Sequence, residues 1–140
     1  MKLSRIYIKD NNSHHRVNSA ILIEGIGIKG NSPPRDSHKQ ISIFSEEGRM
    51  DLDSLVSHGL CTRRFQEDIT IEGLMIPTLL PGDKLTIGQV VIEITRVGKK
   101  CYGDCPLINT KSPCPLRRGI IFARVLKTGP ISVEDMVIKY

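Results

Sequence analysis

At 140 residues and a formal net charge of +5, the chain has the length of one domain, whose core can bury about two thirds of the surface that the unfolded chain exposes. Three Phe, three Tyr and no Trp leave little for base stacking, so nucleic acid is not expected as a partner. No apolar run approaches the roughly 20 residues of a membrane helix, and no membrane partner is expected either.

The start, MKLSRIYIKDNN, turns polar before any signal-peptide apolar region could form, and the chain is expected in the cytoplasm. LSRIYIK alternates as a strand, whereas NNSHHRVNS reads as a polar loop whose His14 and His15 are solvated surface. NSAILIEG reads as a more buried strand ending at Gly25. GIGIKGNSPPRDSHK supplies turn residues and leads into QISIFS, where Ile41 and Ile43 alternate with Ser42. Leu52, Leu55 and Val56 recur at helical spacing, which predicts one short helix within Ser45–His58, weakened in its first turn by Gly48 and closed by His58, a residue that suits the dipole there. DITIEG, LTIG, QVVIEITRV, GIIFARVLK and DMVIKY follow as short strands rich in β-branched residues. QVVIEITRV, the least interrupted, is expected to be central. Many short strands with one helix predict a mostly β fold, a barrel or sandwich, in a single domain over residues 1–140.

The stretch RVGKKCYGDCPLINTKSPCPLRRG, residues 96–119, holds three of the four cysteines between basic doublets. In a reducing compartment such cysteines are read as thiols, metal ligands or catalytic groups before structural disulfides. Lys99 and Lys100 precede Cys101, and a nearby cation lowers a thiol's pKa and raises its thiolate fraction. The doublets 63–64, 99–100 and 117–118 are separate in sequence, and a compact fold could gather them around an anion or leave them as scattered surface charge. Cys105 and Cys114 are candidate resolving thiols for a persulfide or sulfenic acid on Cys101. The CxxxC spacing lacks the paired CxxC of a zinc ribbon, which argues against zinc. Cys61, in HGLCTRR, reads as a small buried hydrophobe. His38 is open between binding a ligand and tying down its loop. GIGIKG lacks the GxGxxG spacing and a following helix, and neither a P-loop nor a motif for pyridoxal phosphate is present.

GIKGN, HKQIS, RRFQEDITIEG, LLPGDKLTIGQVVIEIT, GKKC and CPLRRGIIFARVLKTGPI, in this order and spacing, resemble a MOSC domain, the domain named for the C-terminal part of molybdenum cofactor sulfurase, in its small stand-alone form. The likeness runs from about Ile23 to Tyr140. It implies a MOSC-type β-barrel, binding of the molybdenum cofactor (molybdopterin), and a cysteine after the VVIEIT strand that carries sulfur or ligates molybdenum, here Cys101. The family often has Asp where this chain has Asn31, and Arg or Lys where it has Lys39. Its FxEN segment stands here as Phe65, Gln66, Glu67 and Asp68. An ionised Asp68 accepts hydrogen bonds and repels an anion where an amide would donate.

Two functions follow from the resemblance and the thiol chemistry together. In one, Cys101 accepts sulfur from a cysteine desulfurase or another donor and passes it to a molybdoenzyme or a cofactor-biosynthesis protein, as a sulfurtransferase would. In the other, His38, Gln40, Arg64, Asp68, Lys99, Lys100 and Arg118 hold the anionic pterin, Cys101 ligates the metal, and the module carries its cargo unchanged.

Overall fold

The structure, a computed structural model, describes residues 1–10, 13–31, 37–54, 65–98 and 119–140. Its strands are β1 (Lys2–Asp10), β2 (Ser13–Val17), β3 (Ser19–Ile23), β4 (Gly27–Ile28), β5 (Ile41–Ser45), β6 (Ile69–Glu72), β7 (Lys84–Ile87), β8 (Val90–Val97), β9 (Ile121–Lys127), β10 (Gly129–Ser132) and β11 (Val137–Lys139). Helix α1 spans Glu46–Asp53, and a single 3-10 turn spans Ile76–Thr78. One eight-stranded sheet runs in the order β11-β7-β8-β9-β5-β6-β1-β2.

That sheet curls until it meets itself. Lys2 bridges Met136, the Val137 and Leu3 N–H groups donate to Met1 O and Asp135 O at 2.9 Å, and Glu134 N–H donates to Leu3 O at 2.8 Å. The first half of β1 therefore pairs with residues 134–137, while its second half pairs with β2. Closure removes the open edge that would otherwise expose unpaired backbone groups. Val90, Ile92 and Ile94 of β8 and Ile121, Ala123 and Val125 of β9 alternate inward and are buried. Ile6, Ile43, Ile69, Ile71, Leu85, Ile92, Ile94 and Ile121 pack there as one core. The small sheet β10-β3-β4 adds Leu22, Ile28 and Ile131 to it.

The expected mostly β barrel with one helix is present, and QVVIEITRV is an interior strand, β8, paired on both sides. NNSHHRVNS departs from expectation: instead of a loop, residues 13–17 form β2, exposed along most of its length and held by its ladder to β1. A strand that buries no face leaves no alternation for a sequence to display. The helix also ends earlier than His58, at Asp53 with Ser54 as its cap. His58 lies outside the described residues.

Two connections position the site. The strands β5 and β6 pair in parallel, which demands a crossover, and α1 supplies part of it. Its N-cap is Ser45, whose Oγ accepts from Gly48 N–H at 2.9 Å. Between β8 and β9, which pair antiparallel, the chain runs through residues 99–118, and Gly98 N–H donates to Ile120 O at 2.7 Å. The cysteine-bearing stretch thus departs from and returns to a single point of the ladder.

Candidate functional site

Cys61, Arg64, Lys99, Lys100, Cys101, Cys105, Cys114 and Arg118 lie outside the described residues, but the residues that anchor their segments do not. Phe65 directly follows Arg63 and Arg64, Gly98 directly precedes Lys99 and Lys100, and Gly119 directly follows Arg117 and Arg118. Phe44 gathers two of these anchors. Its fully buried ring meets Phe65 edge-on, with centroids 5.7 Å apart, and a Cβ built on Gly119 would stand 2.9 Å from its Cε1. Gly98 joins them through its hydrogen bond to Ile120. Phe44 can do this because β5 is buried on both faces: Ile41 and Ile43 enter the barrel core, and Phe44, one residue out of phase, points under α1.

A buried ion pair fixes α1 over that ring. Arg49 donates through Nε to Glu67 Oε2 at 3.2 Å and through Nη2 to Oε1, with its guanidinium 5.7 Å from the Phe44 centroid and 5.8 Å from that of Phe65. Glu67, wholly buried, also accepts from Gln66 Nε2 at 2.8 Å and Thr70 Oγ1 at 2.9 Å. Burial works against the Arg49 charge, but the hydrogen bonds and the charge of Glu67 outweigh it, so its pKa stands above the ordinary arginine value. Both carboxylate oxygens are doubly engaged, which is what makes a buried charge tolerable.

Beside this network lie the residues singled out by resemblance. Asp68 is held by four donors: Ser42 N–H at 2.8 Å and Ser42 Oγ at 3.0 Å on Oδ2, with Asn31 Nδ2 at 3.3 Å and the Lys9 ammonium at 3.2 Å on Oδ1. Asn31 Oδ1 in turn accepts from Lys9 N–H at 2.8 Å. The carboxylate that stands where the family often has an amide thus carries its own cation. Ser42 faces Phe122 across the β5–β9 ladder, and Lys39 places its ammonium 5.1 Å from the centre of the Phe122 ring. Gln40 Oε1 accepts from Val125 N–H at 2.9 Å. Gly27 passes so close that a Cβ there would lie 2.6 Å from Gln40 O. The register of β8 against β9 shifts between Ile94 and Arg96, and Thr95, at that bulge, donates its hydroxyl to His38 O. Asn31, His38, Lys39, Gln40 and Asp68, scattered over 38 positions of sequence, are thereby brought to one side of the β8–β9–β5–β6 wall. Phe44, Arg49, Thr95 and Phe122 were not singled out in the sequence. Only Gly48, an unfavourable residue inside a helix, signalled that something crowds α1.

An open groove of about 560 Å³ runs along the same end of the barrel. Ser45, the N-cap, and Glu47, Gly48 and Asp51 of α1 line one side, Ile76, Pro77 and Leu79 the other, and Val97 and Gly119 lie at the anchors of the cysteine-bearing stretch. Its size suits a small ligand, but the charged groups on its described lining are carboxylates, which does not suit a phosphate. Among the described residues, no three His, Cys, Asp or Glu side chains are grouped to hold a metal, and no helix is long and apolar enough to cross a membrane.

A profile of the MOSC domain matches residues 12–138. The chain belongs to the MOSC family. No curated protein matches the sequence. Among solved structures it is similar to YiiM from Escherichia coli, at 15% identity and a TM-score of 0.65, covering 100% of this chain and 70% of that one. It is also similar to the YuaD protein from Bacillus subtilis, at 16% identity and a TM-score of 0.69, covering 97% of this chain and 93% of that one. A third structure, described as a hypothetical protein, matches at 16% identity and a TM-score of 0.68, and this chain spans 65% of its length. At these identities the likeness is one of fold, and membership in the family associates the chain with molybdenum cofactor sulfurase-type proteins.

Proposed function

We propose that this MOSC protein carries or transfers sulfur in molybdenum-cofactor metabolism, with Cys101 as the sulfur-bearing thiol. In this reading the Cys101 thiolate attacks the outer sulfur of a donor persulfide, such as that of a cysteine desulfurase. The donor's S–S bond breaks, its electron pair leaves on the donor cysteine, and a new S–S bond forms on Cys101. The loaded sulfur then passes to a molybdoenzyme or a cofactor-biosynthesis protein, and Cys105 or Cys114 is the resolving thiol if no acceptor is present.

The observation that carries this reading is the convergence of anchors. The residues adjoining all three basic doublets, Phe65, Gly98 and Gly119, are tied to one end of one barrel by the Phe44 ring and the β8–β9 ladder. Cations gathered there would hold Cys101 as thiolate and attract an anionic ligand with one field. Molybdopterin, when bound, would bring a thiophilic metal centre. Arg64, Lys99, Lys100 and Arg118 would hold its phosphate, Gln40 and His38 would border it, and Asp68 would keep Lys9 and Asn31 in place.

The test is sulfur loading from a desulfurase and free cysteine. The wild-type protein is expected to gain sulfane sulfur and Cys101→Ser to gain none while keeping its fold, since Ser matches the thiol in size but lacks the soft sulfur. Full loading of the Ser variant would overturn the assignment. Stoichiometric pterin on the purified protein with no sulfur uptake would favour the carrier function.

A further inference from the structure

The barrel closes through the first half of β1, and β2 lies beyond that closure, beside the second half alone. Tyr7 N–H donates to Asp68 O at 2.9 Å and Lys9 N–H to Asn31 Oδ1 at 2.8 Å, both away from β2. In an antiparallel pair, residues that turn away from the ladder sit opposite partners that turn away as well. Those partners are Arg16 and His14. Among the described residues β2 has no second neighbour in the sheet, so the N–H and C=O groups of both residues stand in ladder geometry along its outer edge.

The side chains of the same two residues are exposed. His14 meets Tyr7 edge-on, with ring centroids 6.3 Å apart, and Arg16 enters no ion pair among the described residues. Arg5 and Lys9, on the same face of β1, are already paired with Glu46 and Asp68. On the opposite face, Ile8 and Val17 pack against the core. Charges on an edge strand guard it against self-pairing. A second copy of β2, antiparallel and centred on His15, would set Arg16 of each strand against His14 of the other, and like charges directly opposite are destabilising. The same charge attracts a strand of opposite sign.

We propose that the outer edge of β2 docks one extended, acidic strand of a partner protein, which adds to the sheet beside His14 and Arg16. Carboxylates at alternate positions of that strand face Arg16 and His14, and the apolar side chains between them lie on the Val17 face. Docking here is independent of the thiols and of sulfur carriage.

The probe is a synthetic peptide alternating valine with glutamate over about six residues, a common strand length. Its controls are a copy with lysine for glutamate and a copy with an N-methylated backbone. Binding to the full chain is read by fluorescence anisotropy, and amide hydrogen exchange is followed residue by residue. The glutamate peptide is expected to bind, more weakly at high salt, and to slow exchange at His14 and Arg16 while His15 and Val17, already laddered to β1, change little. Neither control should bind. Arg16→Gln is expected to weaken binding about two- to fivefold, the range of a cross-strand charge pair. Arg16→Pro also removes an outward donor, at a place where edge strands tolerate proline, and should weaken binding about tenfold or more. Urea unfolding checks that each variant folds, and if the proline variant does not, the N-methylated peptide decides. No binding of the glutamate peptide, equal binding of either control, or unchanged exchange at His14 and Arg16 would overturn the proposal. So would a wild-type dimer in sedimentation that Arg16→Gln tightens, since the edge would then belong to a second copy.

Discussion

Replacing Arg49 with Met removes the cation from a carboxylate that has no access to water. Glu67 is wholly buried and the Arg49 side chain is 8% exposed. In the variant, Gln66 Nε2 and Thr70 Oγ1 would still donate to Glu67, but no positive charge would face it. Breaking a buried pair in this way costs about 3–5 kcal/mol, because one charge is left uncompensated. The second ion pair of Arg49 adds little, since Asp53 is 61% exposed and exposed pairs contribute about 0–1 kcal/mol. Against a total stability of roughly 5–15 kcal/mol, the loss is severe. Taking ~2.1 cal/mol/K of unfolding entropy per residue over 140 residues, it lowers Tm by about 10–17 °C. Thermal unfolding followed by circular dichroism, with urea titration alongside, reads it directly. Adding Glu67→Gln to Arg49→Met removes the orphan charge and should recover about half of the loss or more. A single variant within about 1 kcal/mol of wild type would mean that the pair behaves like a surface ion pair, and the anchoring of α1 would need another cause.

Gly27→Ala places a side chain at a φ of 120° and a Cβ 2.6 Å from Gln40 O, so it should cost at least about 1–3 kcal/mol, read as a lower urea midpoint. Asp83 titrates below its ordinary value of 3.8, chiefly because Leu80 N–H donates to its carboxylate; desolvation opposes this, and the charge and hydrogen bond of Lys139 add to the lowering. A depressed folded pKa gives stability that is present above the unfolded value and lost as pH falls through the folded one. Asp83→Asn should therefore flatten the acid limb of the urea midpoint below about pH 4, and an unchanged limb would refute this. Lys100→Gln should raise the pH at which Cys101 is half labelled, more at low salt, because exposed charges are screened within about 8–10 Å at physiological ionic strength. No shift at either salt concentration would make the doublet ordinary surface charge.

The strands were legible where alternation exists. The Ile and Val of β8 and β9 face the core at every second position, and that period survives in the sequence whatever the neighbours are. β2 was not legible, since Ser13, His14, His15 and Arg16 are all exposed and owe their strand to pairing with β1. The motifs drew attention to Asn31, His38, Lys39, Gln40 and Asp68, but not to how they are bonded. The polar partners of Asp68 are Lys9, Asn31 and Ser42, each at least 26 positions away, and only the closed barrel brings them together. Gly48 was visible as an anomaly, while its cause, the ring of Phe44, depends on the burial of β5 on both faces.

The most direct test of sulfur carriage is peptide mass mapping of the four cysteines in protein purified without reductant and then exposed to a desulfurase and cysteine. One added sulfur atom on Cys101, removable by reductant and absent from Cys61, is the predicted result. Cys101 recovered only as an unmodified thiol, with the added sulfur on another cysteine or on none, would contradict it.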